Sequence, residues 1–174
     1  ELIISAVSSY LLGNSTLQYS ITIGLYMAAL GIGSYLSKYF HKNLFNIFVT
    51  IELSIGIVGG MSSILLFLAN IYIQNYDVVM YIEILIIGIL AGAEIPIMTR
   101  IIEDDEQNLS VTLSSIFSFD YIGGLLGSIA FPLLLLPKLG FFATSFLCGL
   151  LNISAAMLIM WRFGDRVLKI KWYR

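Results

Sequence analysis

The sequence predicts an all-α membrane protein, a polytopic bundle of about six transmembrane helices. Composition is the first observation: of 174 residues, 59% are hydrophobic and 11% charged, and the mean hydropathy is +0.93. A soluble domain usually carries about 25% charged residues. The second observation is the arrangement of apolar residues in long runs, near the roughly 20 residues with which a helix crosses a bilayer. We expect one transmembrane domain, 1–163, and a basic juxtamembrane segment, 164–174.

Polar breaks separate the apolar runs, each of which we predict to be a transmembrane helix. The runs cover roughly 1–13, 16–37, 44–69, 78–99, 109–136 and 139–162. The first run is too short for a complete crossing, and we expect a truncated helix rather than a half-span. Since the chain also begins without Met, we expect an upstream piece to be missing.

Basic residues predict the orientation of the bundle. In a six-span arrangement eight of the nine Lys and Arg residues fall on one side, and only Lys138 falls on the other. The eight are Lys38, Lys42, Arg100, Arg162, Arg166, Lys169, Lys171 and Arg174. Because basic residues concentrate in cytoplasmic loops, we predict a multi-pass protein of the cytoplasmic (inner) membrane with both termini in the cytoplasm.

Two polar segments have alternative interpretations. The acidic run 103–106 is predicted to be a solvated connection between helices, in preference to a divalent-cation site. The segment 167–174 alternates basic and apolar residues and ends in an aromatic pair and Arg174. It is either an interfacial anchor or the start of a following cytoplasmic domain.

Several kinds of site are disfavoured by the composition. A single cysteine, Cys148, forms no internal disulfide, and a single His41 provides no histidine zinc site. The Gly59–Gly60 and Gly123–Gly124 pairs lie inside apolar runs, without the strand and turn that a phosphate-binding loop requires. We therefore predict no cofactor, no metal and no nucleic-acid partner for this chain.

Small residues recur at four-residue spacing within the runs. The pairs are Gly24 with Ala28, Gly56 with Gly60, Gly88 with Gly92, and Gly123 with Gly127. In a lipid environment such residues allow helix backbones to approach closely. The pattern predicts close helix contacts at these positions.

Four carboxylates lie inside the predicted spans with no Lys or Arg beside them: Glu52, Glu83, Glu94 and Asp120. An ionised carboxylate in hydrocarbon costs several kcal/mol, so such groups usually face a bundle interior or a wet cavity and find a cation or a proton there. The spans provide no cation of their own. The imbalance favours a cationic ligand.

Depth along the helices selects among the four. At about 1.5 Å per residue, Glu52 lies roughly 13 Å from the cytoplasmic end of its helix, Glu94 roughly 9 Å and Asp120 roughly 16 Å. These three can share one layer, whereas Glu83 is closer to the outer surface and is the least suitable ligand. Tyr121 follows Asp120, and an aromatic face near acids suits an ammonium group. The predicted binding residues are therefore Glu52, Glu94, Asp120 and Tyr121.

A structural role for the acids is the alternative. Protonated carboxyls hydrogen-bonded to polar side chains of neighbouring helices would hold the bundle together without any ligand.

Pro96, near Glu94, has no N–H to donate to the carbonyl of Gly92, which leaves a backbone acceptor close to the carboxylate.

Five segments, in order along nearly the whole chain, resemble the membrane domain of bacterial integral-membrane spermidine synthases, the polyamine aminopropyltransferases. They are 9–15 (SYLLGNS), 31–37 (GIGSYLS), 51–56 (IELSIG), 94–97 (EIPI) and 119–124 (FDYIGG). In that family the membrane domain precedes a Rossmann-like cytoplasmic domain, which transfers an aminopropyl group from decarboxylated S-adenosylmethionine to putrescine. The glycine-rich cofactor loop and catalytic aspartates of that domain have no counterpart here, so the resemblance implies no catalytic residue in this chain. It implies a membrane location and an association with cationic amines.

Three hypotheses follow. The leading one is a synthase membrane domain that binds or conducts a polyamine through its intramembrane acids and tethers a soluble aminopropyltransferase domain. The second is a purely structural anchor in the lipid bilayer. The third is a small cation or proton-coupled transporter, acting as a homodimer, because six spans can form half of a larger carrier.

Overall fold

The fold is helical throughout the part of the chain that the structure describes. The computed structural model describes residues 1–73, 75–103 and 109–171, and no strand occurs among them. The helices are α1 Leu2–Leu12, α2 Ser15–Leu36, α3 Leu44–Tyr72, α4 Tyr76–Glu103, α5 Leu109–Ala130 and α6 Leu136–Lys171. A 3-10 turn, Ser37–Tyr39, follows α2, and a π turn, Phe131–Leu135, joins α5 to α6. The predicted all-α class is confirmed.

Helix α1 lies at the centre of the bundle. All five residues from Ile4 to Ser8 are buried. Since successive side chains point about 100° apart around a helix, neighbours cover every face of this stretch. They belong to α2, α3, α4 and α6. The Ser8 Oγ lies 2.9 Å from the Tyr76 hydroxyl oxygen and 2.7 Å from the Met80 sulfur, which ties α1 to the start of α4.

Helices α2 and α4 run in the same direction and cross at glycines. A Cβ placed at Gly33 would overlap the carbonyl of Ile89, and one at Gly92 would overlap the carbonyl of Leu30. Only residues without a side chain allow two backbones to come this close. The small-residue spacing thus fixes the position of α4, the helix that carries Glu83 and Glu94.

Helix α6 packs antiparallel along α3. A Cβ at Gly56 would lie 2.7 Å from the Ile153 side chain. The rings of Phe67 and Phe142 lie 4.9 Å apart at one end of the pair, and those of Phe45 and Phe163 lie 6.4 Å apart at the other. The contact therefore extends along most of both helices.

The predicted close contacts at small-residue pairs are confirmed in part. A Cβ at Gly56, Gly60, Gly88 or Gly92 would meet atoms of a neighbouring helix within 3.3 Å. At Gly24, Gly123 and Gly127 a Cβ would meet nothing within 4 Å among the described residues. The prediction is wrong there because these positions face away from the bundle.

Helix α5 lies at the edge of the bundle and packs on α4. Most of its side chains from 117 onward are exposed, and Phe131 is the first buried residue after them. The helical path from α5 continues through the π turn and breaks at Gly140, near the start of α6, where φ is 71° and ψ −176°. A side chain at this positive φ would be strained, so glycine allows the chain to turn back along α3.

One end of the bundle carries the basic residues Lys38, Lys42, Arg100 and Arg162, and we call it the basic end. Arg100 of α4 donates hydrogen bonds to the carbonyl oxygens of Ser37 at 2.7 Å and Phe40 at 2.9 Å. Both carbonyls lie just after α2, and that of Ser37 also accepts the Phe40 N–H at 3.1 Å within the 3-10 turn. The guanidinium thus fixes the end of α2 against α4.

Four helical segments are long and apolar enough to cross a membrane: Ser15–Tyr39, Leu44–Tyr72, Tyr76–Ile102 and Ser110–Phe163. As one continuous helix the last segment, at 54 residues, would be about 80 Å long, against about 30 Å for the hydrocarbon core of a bilayer. The Gly140 break divides it. Helix α1 has 11 residues, and the predicted count of six crossings stays a prediction.

Some predicted features fall partly outside the described residues. The acidic run 103–106 is described only at Glu103, where α4 ends. The backbone of the basic segment 164–174 is described as far as Lys171 and continues α6. The division between a transmembrane domain and this segment stays a prediction.

Candidate functional site

Two of the predicted carboxylates meet in the bundle. Glu52 of α3 is 8% exposed, and its carboxyl group lies within hydrogen-bonding reach of the carboxyl group of Glu94 on α4. An apolar cluster of Phe48, Ile51, Ala93 and Ile97 packs beside the pair. Two carboxyls at this distance in an apolar environment cannot both stay ionised without a positive partner.

Asp120 lies on the other side of Glu94, in a groove between α4 and α5. The groove has a volume of about 450 Å³, and both carboxylates line it. Its remaining walls are formed by Ile95, Met98, Ile102, Thr112, Ser115, Ile116 and Phe119. Asp120 is exposed, whereas Glu94 is half-buried. The antiparallel packing of α4 and α5 thus brings the acids of two sequence segments to one cavity.

The charges that act on Glu94 come from other acids. Glu52 and Asp120 are the charged groups near it, and no Lys or Arg among the described residues is near either Glu94 or Glu52. Arg100 is on the same helix, but it donates to the backbone at Pro96, Ser37 and Phe40. The arrangement can bind a cation or hold a shared proton.

Tyr121 lies outside the groove. Its ring is 70% exposed and stacks on Phe117 with centroids 6.0 Å apart and an angle of 17° between the planes. As the residue after Asp120 on a helix, it points about 100° away from it. The structure brings Glu52, Glu94 and Asp120 together and leaves Tyr121 apart.

Pro96 lies inside α4, one turn after Gly92. It has no N–H, so the Gly92 carbonyl receives no hydrogen bond from it. The carbonyl of Pro96 itself accepts a bond from the Arg100 Nε at 3.1 Å.

Glu83, which the depth estimate ranks last, is the most buried of the four acids. It is 4% exposed, and neither carboxyl oxygen has a hydrogen-bond partner among the described residues. Buried oxygens of Gln18, Thr22 and Thr144 also lack partners. The depth estimate does not consider which face of the helix a residue occupies. Glu83 lies 11 residues before Glu94, which is close to three full turns, so the two acids are on the same face of α4.

The described residues do not resemble a metal centre. No group of three His, Cys, Asp or Glu side chains among them is placed to hold a metal ion. The groove itself is lined by two carboxylates, Glu94 and Asp120, and Glu52 pairs with Glu94 outside its lining.

The relatives of this chain are polyamine aminopropyltransferases. It is 42% identical over 170 residues to the polyamine aminopropyltransferase of Leptospira interrogans, covering 98% of this chain and 34% of that protein. It is 42% identical over 165 residues to polyamine aminopropyltransferase 2 of Ralstonia nicotianae, covering 94% and 32%. It is 36% identical over 169 residues to the polyamine aminopropyltransferase of Oceanobacillus iheyensis, covering 96% and 33%.

The chain spans about a third of the length of the curated relatives it matches. No protein-family model matches it, and no solved structure matches it. The resemblance that the five sequence segments indicate is thus confirmed as a similarity to proteins of that name.

Proposed function

We propose that this chain is the membrane domain of a polyamine aminopropyltransferase-like protein, and that its intramembrane acids bind a cationic amine. The single observation that supports the proposal is the pairing of Glu52 with Glu94 beside Asp120, without a basic residue of the described chain near the pair. Buried carboxylates in membrane proteins commonly mark ion and substrate pathways. The relatives' name supplies the class of amine.

A polyamine fits this arrangement chemically. It carries several ammonium groups along one flexible chain, so one molecule can neutralise carboxylates on α3, α4 and α5. The groove volume, about 450 Å³, is within the roughly 300–1,000 Å³ typical of small-molecule sites. The lining combines two carboxylates with mostly apolar side chains, which suits ammonium groups separated by methylene segments.

In the proposed topology the basic end lies on the cytoplasmic side of the inner membrane, in accordance with the positive-inside rule. Helix α6 ends at that side, at Lys171. A soluble aminopropyltransferase domain attached there would be held next to the groove between α4 and α5. In this proposal the chain is both a tether and an amine-binding domain, and it carries no catalytic residue.

Binding of spermidine and putrescine to the purified chain in lipid nanodiscs tests the proposal by calorimetry. We expect saturable binding that falls at least tenfold when Glu52→Gln is combined with Asp120→Asn. Asp77→Asn is the matched control, because Asp77 is exposed in the first turn of α4, distant from the groove. Unchanged affinity in the double variant would overturn the proposal.

A structural anchor is the second candidate, and the same carboxyl pair favours it. A proton shared between the Glu52 and Glu94 carboxyls would join α3 to α4 without a ligand. In this case Glu94→Ala lowers the stability of the bundle, while the unmodified chain binds no amine. The combined result distinguishes the two candidates.

A further inference from the structure

A second cavity opens at the basic end between α2 and α3. These two helices are consecutive, yet they hardly touch, and both pack on α4 instead. The space between them has a volume of about 500 Å³. We call it the α2–α3 crevice; it is lined by Gly33, Leu36, Phe40, Lys42, Asn43, Asn46, Ile47, Thr50, Ile51, Ile89, Leu90 and Ala93.

The lining has a polar face and an apolar face. Lys42 lies at the mouth beside the polar face, which Asn43, Asn46 and Thr50 form at helical spacing, all exposed. The apolar face is formed by Ile47 and Ile51 of α3 with Ile89 and Leu90 of α4. Ile51 lies about 10 Å along α3 from the first helical residue, so the apolar face extends well beyond Lys42.

Lys42 is free to bind a ligand at the mouth. The Lys38 ammonium lies 3.4 Å from the centre of the Tyr35 ring, and Arg100 donates to the end of α2. Among the described residues Lys42 makes no hydrogen bond, ion pair or ring contact. The side chain of Asn43 does not cap α3, so its amide is available as well.

We propose that the α2–α3 crevice binds one anionic glycerophospholipid, with its phosphate at Lys42 and one acyl chain along the apolar face. The ammonium group complements the phosphate, and the amides of Asn43 and Asn46 donate to phosphate or ester oxygens. Basic pockets between helices at the cytoplasmic side commonly bind such headgroups. A cationic amine is a poor occupant because the charged group at the mouth is Lys42. This proposal does not depend on amine binding at Glu52 and Glu94.

Native mass spectrometry of the delipidated chain in detergent tests the proposal, with palmitoyl-oleoyl phosphatidylglycerol and phosphatidylcholine as probes. We expect one phosphatidylglycerol to bind more tightly than phosphatidylcholine. Lys42→Gln should weaken it about fivefold, the contribution of one lysine near an anionic lipid surface. Lys138→Gln, an exposed lysine at the other end of the bundle, is the control and should change nothing.

Ile47→Trp, which fills the space at the apolar face, should also reduce binding. Glycerol 3-phosphate should not compete, because it lacks the acyl chain. The proposal is overturned if the two lipids bind with equal affinity, or if Lys42→Gln and Lys138→Gln lose equal affinity. It is also overturned if Ile47→Trp binds fully, or if glycerol 3-phosphate competes at the lipid's own affinity.

Discussion

The carboxyl groups of Glu52 on α3 and Glu94 on α4 lie side by side within hydrogen-bonding reach. The pair joins two antiparallel helices through groups that repel each other when both are ionised. A single proton or a cation between them turns repulsion into attraction. The stability of this helix pair therefore depends on what occupies the site.

Truncating one member of the pair should destabilise the bundle. Glu94→Ala leaves the buried Glu52 without its partner, and we expect the free energy of unfolding to fall by about 1–3 kcal/mol. Glu94→Gln keeps a donor and an acceptor in place and should change it by less than about 1 kcal/mol. Unfolding in mixed micelles by SDS titration measures both. An equal loss of unfolding free energy in the two variants would show that the hydrogen bond does not contribute to stability.

The crossing of α2 and α4 should not tolerate a methyl group. Gly33→Ala pushes a Cβ into the carbonyl of Ile89, and we expect a loss of about 1–3 kcal/mol from overpacking. Gly24→Ala is the control on the same helix, since a Cβ there meets nothing within 4 Å. It should be neutral or slightly stabilising because Ala is the better helix former. A stable Gly33→Ala chain would contradict the close crossing.

Arg100 should keep the connection after α2, residues 37–41, in a fixed conformation. Replacing it with Gln removes hydrogen bonds from a charged donor to the carbonyls of Ser37 and Phe40, each contributing about 1.5–3 kcal/mol. We expect faster amide hydrogen exchange in residues 37–41 and lower thermal stability. Arg162→Gln, at the same end, should leave exchange in this connection unchanged. Protection that persists in Arg100→Gln would refute this role.

Removing the unpaired acid should stabilise the chain. Both carboxyl oxygens of Glu83 are buried without a hydrogen-bond partner among the described residues, and such burial is costly. Glu83→Met has similar volume and no such cost, so we expect a gain of about 1–3 kcal/mol in the free energy of unfolding. Asp77→Asn should give no gain. A loss of stability in Glu83→Met would indicate that Glu83 has a partner in the folded protein.

Much of the fold follows from the sequence because one-dimensional signals determine it. Long apolar runs predict the helices, Gly140 marks the break near the start of α6, and the pairs Gly56–Gly60 and Gly88–Gly92 mark helix crossings. The same spacing fails at Gly123 and Gly127. A four-residue repeat places glycines on one face of α5 but does not say whether that face meets another helix.

The part of the site that can be predicted from the sequence is the depth of each acid along its helix. Counting residues along each helix places Glu52, Glu94 and Asp120 in one layer, and the structure brings them together. The rotation of each helix about its own axis is set by packing, which the count does not contain. For this reason the count does not predict that Tyr121 lies outside the groove or that Glu83 is buried.

The enclosed position of α1 has a consequence for how the protein is made. Of the helices described here, α1 emerges first from the ribosome, and its neighbours on every side are synthesised later. Until these helices are synthesised, the side chains that cover Ser5 and Ser8 in the structure are not present. The burial of α1 is therefore completed only after α2, α3, α4 and α6 have been synthesised, since each of them covers part of it.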